Sequence, residues 1–196
     1  TIVDISREFL NTNGVRAKSK VEMKQPEGNY FGYINLGGNV LALGAKTDGS
    51  AYTIGIQRPF GEENEAIASV SITDQTVVSS GVYERYFEVD GTRYHHILDT
   101  ATGYPYDNGL LEVTIITGAS VDGDGLSTTC FSLGLEDGMA LVESLDDTEA
   151  IFITNDYEVH TSSGMGTVIP YEILEIKHQN RREEFILITA NSSRLF

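Results

Sequence analysis

The chain has 196 residues, with 13 Lys+Arg against 29 Asp+Glu, a formal net charge of −16 and a pI near 4.4. That length carries a core large enough to fold without disulfides or structural metals, and 40% hydrophobic residues exclude a disordered chain. The acidic surplus argues against broad contact with nucleic acid or anionic lipid, and a single Cys excludes an intramolecular disulfide and any cysteine-cluster metal site.

Taken in chain order, residues 2–13 read as an amphipathic helix, with Ile2, Ile5, Phe9 and Leu10 at helical spacing and Gly14 as its stop. Residues 16–29 hold four basic residues with Pro26 and Gly28 and few apolar ones, and read as a mobile loop, linker or insertion. From Tyr30 to Gly118 the pattern is β. Strands are expected at 31–36, 40–44, 51–57, 66–73, 76–79, 83–89, 92–97 and 111–117, and Asp90-Gly91 marks the clearest hairpin. In 124–145 the period changes to helical, with Leu126, Cys130, Leu133, Met139 and Val142 suiting two helices broken at Gly134. A hairpin is expected around Asn155-Asp156, and two apolar runs, 168–176 and 185–189, complete the tail. The expected organisation is an N-terminal helix (1–15), a linker or insertion (16–29), a core (30–165) and C-terminal strands of uncertain origin (166–196). Strands followed by helices without βαβ alternation imply an α+β fold, largely antiparallel with packed helices. No stretch approaches the roughly 18–20 apolar residues of a spanning helix, and a start at Thr1 suggests a mature or excised chain.

Common signatures are missing. There is no P-loop, no G-x-G-x-x-G and no G-x-S-x-G. Asp122-Gly123-Asp124-Gly125 resembles a calcium loop, but Ser120 and Phe131 stand where an EF-hand needs carboxylates. Three features remain. Asn35-Leu36-Gly37-Gly38-Asn39 pairs glycines at a strand end, where backbone can approach a ligand, although an ordinary tight turn is the commoner explanation of such a motif alone. Arg93-Tyr94-His95-His96 runs on to Asp99, Thr102 and Gly103. Histidine suits proton transfer near neutral pH, and in a strand only one of the two can point into a site. Asp99 could orient one of them, and alone the segment reads more simply as a hydrogen-bonded hairpin before a turn. Asp124 and Thr128 share a helix face, and a carboxylate with a hydroxyl at a helix N-terminus suits Mg²⁺ bridging to phosphate. An Asp N-cap is the simpler alternative there.

In order and spacing, INLGGNVLALG (34–44), IGIQRPF (54–60), VVSSGVYERYFEVDGTRYHHILDTATGYP (77–105) and GDGLSTTCFSLGLEDGMALVES (123–144) closely resemble the FAD:protein FMN transferase family, also called ApbE-type. The resemblance implies an ApbE-like, T-fold-type core and a Mg²⁺-dependent enzyme. Such an enzyme cleaves the FAD pyrophosphate, transfers FMN to a Thr hydroxyl of a target flavoprotein and releases AMP. It assigns Asp124 and Thr128 as metal ligands and His96 as general base. Gly37, Gly38 and Asn39 would line the flavin nucleotide site, with Ser80, Gly81, Tyr83, Glu84 and Arg85 near the same cleft; Asp99, Thr102 and Gly103 belong to the matching HHILDTATG stretch. It also implies an extracytoplasmic setting, periplasmic or as a membrane-anchored lipoprotein. The family's first part, with a G-x-A-K-G-Y-type helix, is not represented here, and Thr100 and Val82 depart from its pattern. A non-catalytic FAD-binding or interaction module, and an FAD pyrophosphatase giving FMN and AMP, are therefore the alternatives.

Overall fold

The computed structural model describes residues 18–24, 29–62, 65–83, 85–174 and 186–188. The helix expected at 2–13 lies outside them, as does Glu84.

Thirteen strands are described, with one helix. A seven-stranded sheet has the order β1-β2-β3-β6-β9-β10-β11. Its members are β1 (Lys18–Lys24), β2 (Asn29–Asn35), β3 (Asn39–Leu43), β6 (Thr76–Gly81), β9 (Leu110–Thr117), β10 (Glu149–Thr154) and β11 (Val159–Thr161). A four-stranded sheet orders β12 (Tyr171–Ile173), β5 (Ala66–Ile72), β4 (Tyr52–Gln57) and β13 (Ile186–Ile188). The hairpin β7 (Tyr86–Val89) and β8 (Thr92–His95) stands apart as a two-stranded ribbon. Strand pairings are antiparallel except that of β13 with β4. The architecture is the expected α+β, largely antiparallel one.

The linker expected over 16–29 needs correction, because Lys18–Lys24 is a strand paired antiparallel to β2 in the register Lys18↔Asn35 to Lys24↔Asn29. Its sequence, KSKVEMK, alternates charged and uncharged residues at period two, the pattern of a charged edge strand. The C-terminal strands likewise belong to the core. β12 pairs with β5 and β13 with β4, and Ile188 is fully buried.

Helix α1 (Ser120–Glu143) starts four residues earlier than the sequence suggests, with Ala119 as N-cap. Two early glycines, Gly123 and Gly125, hide that start from a propensity reading. It has two halves, as expected, because Gly134 sits at φ +84° and ψ −178°, outside helical geometry. α1 packs against β9, β6, β10 and β3. β9 is buried along its whole length, so both faces of the sheet centre are covered. Pairing and period fix which side chains share a face. Thr76, Val78 and Ser80 of β6 meet α1, while Ser79 and Gly81 face the other way with Glu112 and Thr114.

Candidate functional site

One end of the central sheet collects most of the candidate residues. β6 reaches that end at Ser80 and Gly81, β9 leaves it at Leu110, and α1 arrives there with Ser127 and Thr128. Across α1, the Ser80 hydroxyl lies 2.8 Å from that of Ser127 and 3.2 Å from that of Thr128. Ser127 Oγ also donates to the Asp124 carbonyl at 3.1 Å. Asp124 and Thr128 are exposed on α1, one turn apart. Asp124 is not the N-cap, since that position is Ala119, so the capping alternative fails. A carboxylate and a hydroxyl on one helix face form a hard oxygen donor set, which fits Mg²⁺, a cation that takes few protein ligands and keeps the rest for water and phosphate.

The glycine turn is seated beside this cluster. Gly37 and Gly38 both lie at φ +73°, and Asn35 Oδ1 accepts the Gly37 N–H at 2.9 Å. The Gly38 carbonyl accepts the Ser79 N–H at 2.8 Å, tying the turn to β6. Asn39 Oδ1 accepts the Thr76 hydroxyl at 3.3 Å, and Thr76 lies 2.9 Å from Ser120 at the start of α1.

The S-G-x-Y block divides between the two faces of the sheet. Ser80 joins the α1 cluster. Gly81 instead forms a floor for Tyr83: a side chain there would meet the Tyr83 ring at 2.5 Å and the Leu111 carbonyl at 3.2 Å. From that floor the Tyr83 hydroxyl donates to Glu112 Oε2 at 2.8 Å. Glu112 is fully buried and also accepts the Thr114 hydroxyl at 3.0 Å. Burial pushes its carboxyl up to about 7, against the opposing pull of hydroxyls from Tyr83, Ser79 and Thr114. Sequence reasoning passed over Glu112, although a carboxylate inside the apolar strand LLEVTIIT was a readable signal.

The two histidines divide as strand geometry requires. His95 is buried, its Nε2 donating to the Tyr106 carbonyl at 2.9 Å and its Nδ1 accepting the Ile97 N–H at 3.3 Å. Its ring meets Phe131 of α1 edge-on at 5.9 Å, and Asn108 Nδ2 donates to the Phe131 carbonyl at 2.5 Å. His95 is thus a structural tie to the helix turn beyond Thr128. His96 is exposed, with its backbone N–H on the Arg85 carbonyl at 3.1 Å. Although solvent reaches it, surrounding protein partly desolvates the ring. Desolvation leads in holding it below 6.5, and the Arg85 and His95 charges add to the effect while the Arg85 backbone hydrogen bond opposes it. His96 is therefore neutral at pH 7 and able to accept a proton.

Asp99 does not orient either histidine. Its carboxylate accepts the Ala101 N–H at 2.8 Å and the Thr102 hydroxyl at 3.0 Å, and its carbonyl accepts the Gly103 N–H at 2.7 Å. Asp99, Thr102 and Gly103 form one self-contained turn, to which the α1 cluster adds no hydrogen bond among the described residues. Arg85 is exposed and contributes its carbonyl. An aromatic group that sequence reasoning also passed over borders Tyr83. Phe60, at φ +57°, meets Tyr83 at 6.0 Å and Tyr86 at 5.6 Å, and the Arg93 guanidinium lies 3.9 Å over the Phe60 ring.

This sheet, helix and clustered end define a known class, and the chain belongs to the ApbE family, whose model matches residues 14–152. Among curated relatives, an FAD:protein FMN transferase of Klebsiella pneumoniae is 48% identical over 130 residues, covering 66% of this chain and 39% of that protein. One of Treponema pallidum is 40% identical over 140 residues, covering 67% of this chain and 39% of that protein. The chain thus spans about two fifths of the length of these relatives. Among solved structures, the ApbE protein of Thermotoga maritima superposes with a TM-score of 0.62 at 34% identity, over 69% of this chain and 43% of that one. The apo flavinyl transferase ApbE of Pseudomonas stutzeri gives 0.56 at 30%, over 84% of this chain and 47% of that one.

Proposed function

We propose that the chain carries the transfer half of a flavin transferase, moving FMN from FAD to a threonine hydroxyl of a target flavoprotein and releasing AMP. The observation that carries this reading is the oxygen cluster of Asp124, Thr128, Ser127 and Ser80 where α1 meets β6, beside the Gly37–Gly38 turn. Its relatives' name, FAD:protein FMN transferase, supports the same chemistry.

Phosphoryl-type transfer needs positioning and charge stabilisation more than covalent help. Asp124 and Thr128 would hold a Mg²⁺, which supplies neutralisation of the pyrophosphate charge. Ser80 fixes the Thr128 hydroxyl from the neighbouring strand. The positive-φ turn at Gly37–Gly38 offers backbone close to the nucleotide. His96, neutral at pH 7, takes the proton of the acceptor hydroxyl as that oxygen bonds to the FMN phosphorus. The bond from that phosphorus to the oxygen of the AMP phosphate then breaks, and AMP leaves with the bonding electrons.

The test combines the full chain, FAD, Mg²⁺ and an FMN-acceptor domain, and follows covalent flavin on the acceptor by mass and in-gel fluorescence. Labelling is expected, abolished by EDTA and reduced about 100-fold or more in Asp124→Ala and His96→Gln. With His96 held below 6.5, the rate at saturating FAD should fall as pH drops through that range and its basic side should stay flat to pH 8. Release of FMN and AMP without labelling would favour hydrolysis, and no turnover of FAD at all would sink the catalytic reading.

A further inference from the structure

Glu112 is a buried carboxyl without a role in the transfer chemistry above. It sits opposite Gly81 on the neighbouring strand and opposite Ile153 on β10, at the end of the sheet where Ser80 and Thr128 meet. Among the described residues no cation neutralises it. Among the described residues, the groups that bear on it are the hydroxyls of Tyr83 from the turn after β6, Ser79 on β6 and Thr114 on its own strand, and of these Tyr83 alone is titratable. A fully buried carboxylate without a counter-charge costs stability, and a sheet centre has no need of one.

The ring of Tyr83 is confined on three sides. Gly81 is its floor, with no room for even a methyl group. The Phe60 ring stands edge-on to it, in a left-handed backbone conformation that a bulky residue adopts only under constraint. Glu112 holds its hydroxyl. We propose that Glu112 is a positioning residue: on the sheet face opposite the α1 cluster, it clamps the Tyr83 phenol at the same sheet end, beside the site where the flavin-bearing substrate is read to bind. This rests on the flavin reading above.

The clamp depends on protonation. As a carboxylate, Glu112 accepts the Tyr83 hydroxyl at one oxygen and the Thr114 hydroxyl at the other, and Tyr83 is locked as a donor. As a neutral acid it must itself donate, so one hydroxyl has to turn away. The change falls at about 7, above the range of His96, which is held below 6.5.

The test uses the full chain labelled with ¹³Cζ-tyrosine, the Tyr83 signal being assigned by its loss in Tyr83→Phe. Wild type should show a Tyr83 shift with a midpoint near 7, and Glu112→Gln, which keeps shape and cannot ionise, should hold that signal fixed. In parallel, FAD affinity with Mg²⁺ is measured from pH 6 to 8. Wild type should bind about fivefold more tightly above the midpoint, the effect of one hydrogen bond. Glu112→Gln and Tyr83→Phe should each remove that step, and the double variant should lose no more than either. A Tyr83 signal that does not move, or that still titrates in Glu112→Gln, overturns the clamp whether or not FAD binds. A coupled pair with FAD binding unchanged across pH overturns its role at the site alone. Absence of FAD binding at every pH, with the pair intact, removes the flavin reading and the role together.

Discussion

The protonation of one residue, Glu112, links the site to stability. Its native carboxyl titrates at about 7 against an ordinary 4.5, so between those values the folded chain holds a proton that the unfolded chain has lost. The sign is the reverse of a salt-bridged carboxylate: stability falls as pH rises from about 4.5 and is lowest above 7. The distance between the two values corresponds to about 3 kcal/mol. Glu112→Gln, neutral throughout, should therefore unfold close to wild type in urea at pH 5 and be more stable by up to about 3 kcal/mol at pH 8. An equal difference at both pH values would place the carboxyl outside the buried environment described. The same residue marks a limit of reading a sequence. Glu112 sits one place from Leu111 in a strand that was legible, but its burial depends on both faces of the sheet being covered, a tertiary fact that period alone does not carry. His95 and His96 were separable in advance only as one in and one out. Which was which depended on Phe131 and Tyr106, distant in sequence.

Elements were legible where local chemistry is forcing. Asp90 and Gly91 adopt φ +51° and +78°, the paired positive values that let two residues close the β7–β8 hairpin, and an Asp-Gly pair signals this directly. β1 was not legible, because seven residues rich in lysine look like a solvated loop until β2 is there to pair with them. Within α1 two glycines have opposite roles. A side chain at Gly138 would stand 2.7 Å from the Cys130 carbonyl and 3.0 Å from the Phe152 ring, so this residue brings the second half of the helix down onto β10. A side chain at Gly125 would meet nothing within 4 Å among the described residues beyond its own helix backbone, and the position is exposed. Gly138→Ala should lower stability by about 1–3 kcal/mol, because backbone cannot yield as a side chain can. Gly125→Ala should raise it by about 0.5–1 kcal/mol through helix propensity. Thermal melts of the two variants should therefore move in opposite directions, and a loss at both would mean that the first turns of α1 pack more closely than described.

At the scale of the whole molecule, the net charge of −16 would act, on the proposed function, on an anionic substrate. FAD approaching a chain of the same sign meets a repulsive field unless something local offsets it. The hydroxyls of Ser80, Ser127 and Thr128 carry no charge, and Asp124 adds to the repulsion. On the proposed function, the divalent cation at Asp124 and Thr128 is what reverses the local sign. Salt then becomes a probe of which field dominates. Raising ionic strength from about 0.01 to about 0.1 M shortens the screening length from about 30 to about 10 Å. In EDTA, where repulsion is unopposed, FAD affinity should rise across that range. With saturating Mg²⁺, where attraction at close range offsets repulsion at long range, the same titration should be flat or fall. Calorimetric titrations at four ionic strengths, with and without Mg²⁺, separate the two cases. If affinity in EDTA falls with salt instead, fixed cationic side chains such as Arg85 or Arg93 bind the pyrophosphate directly. The acidic surplus would then be solvated surface with no part in recognition.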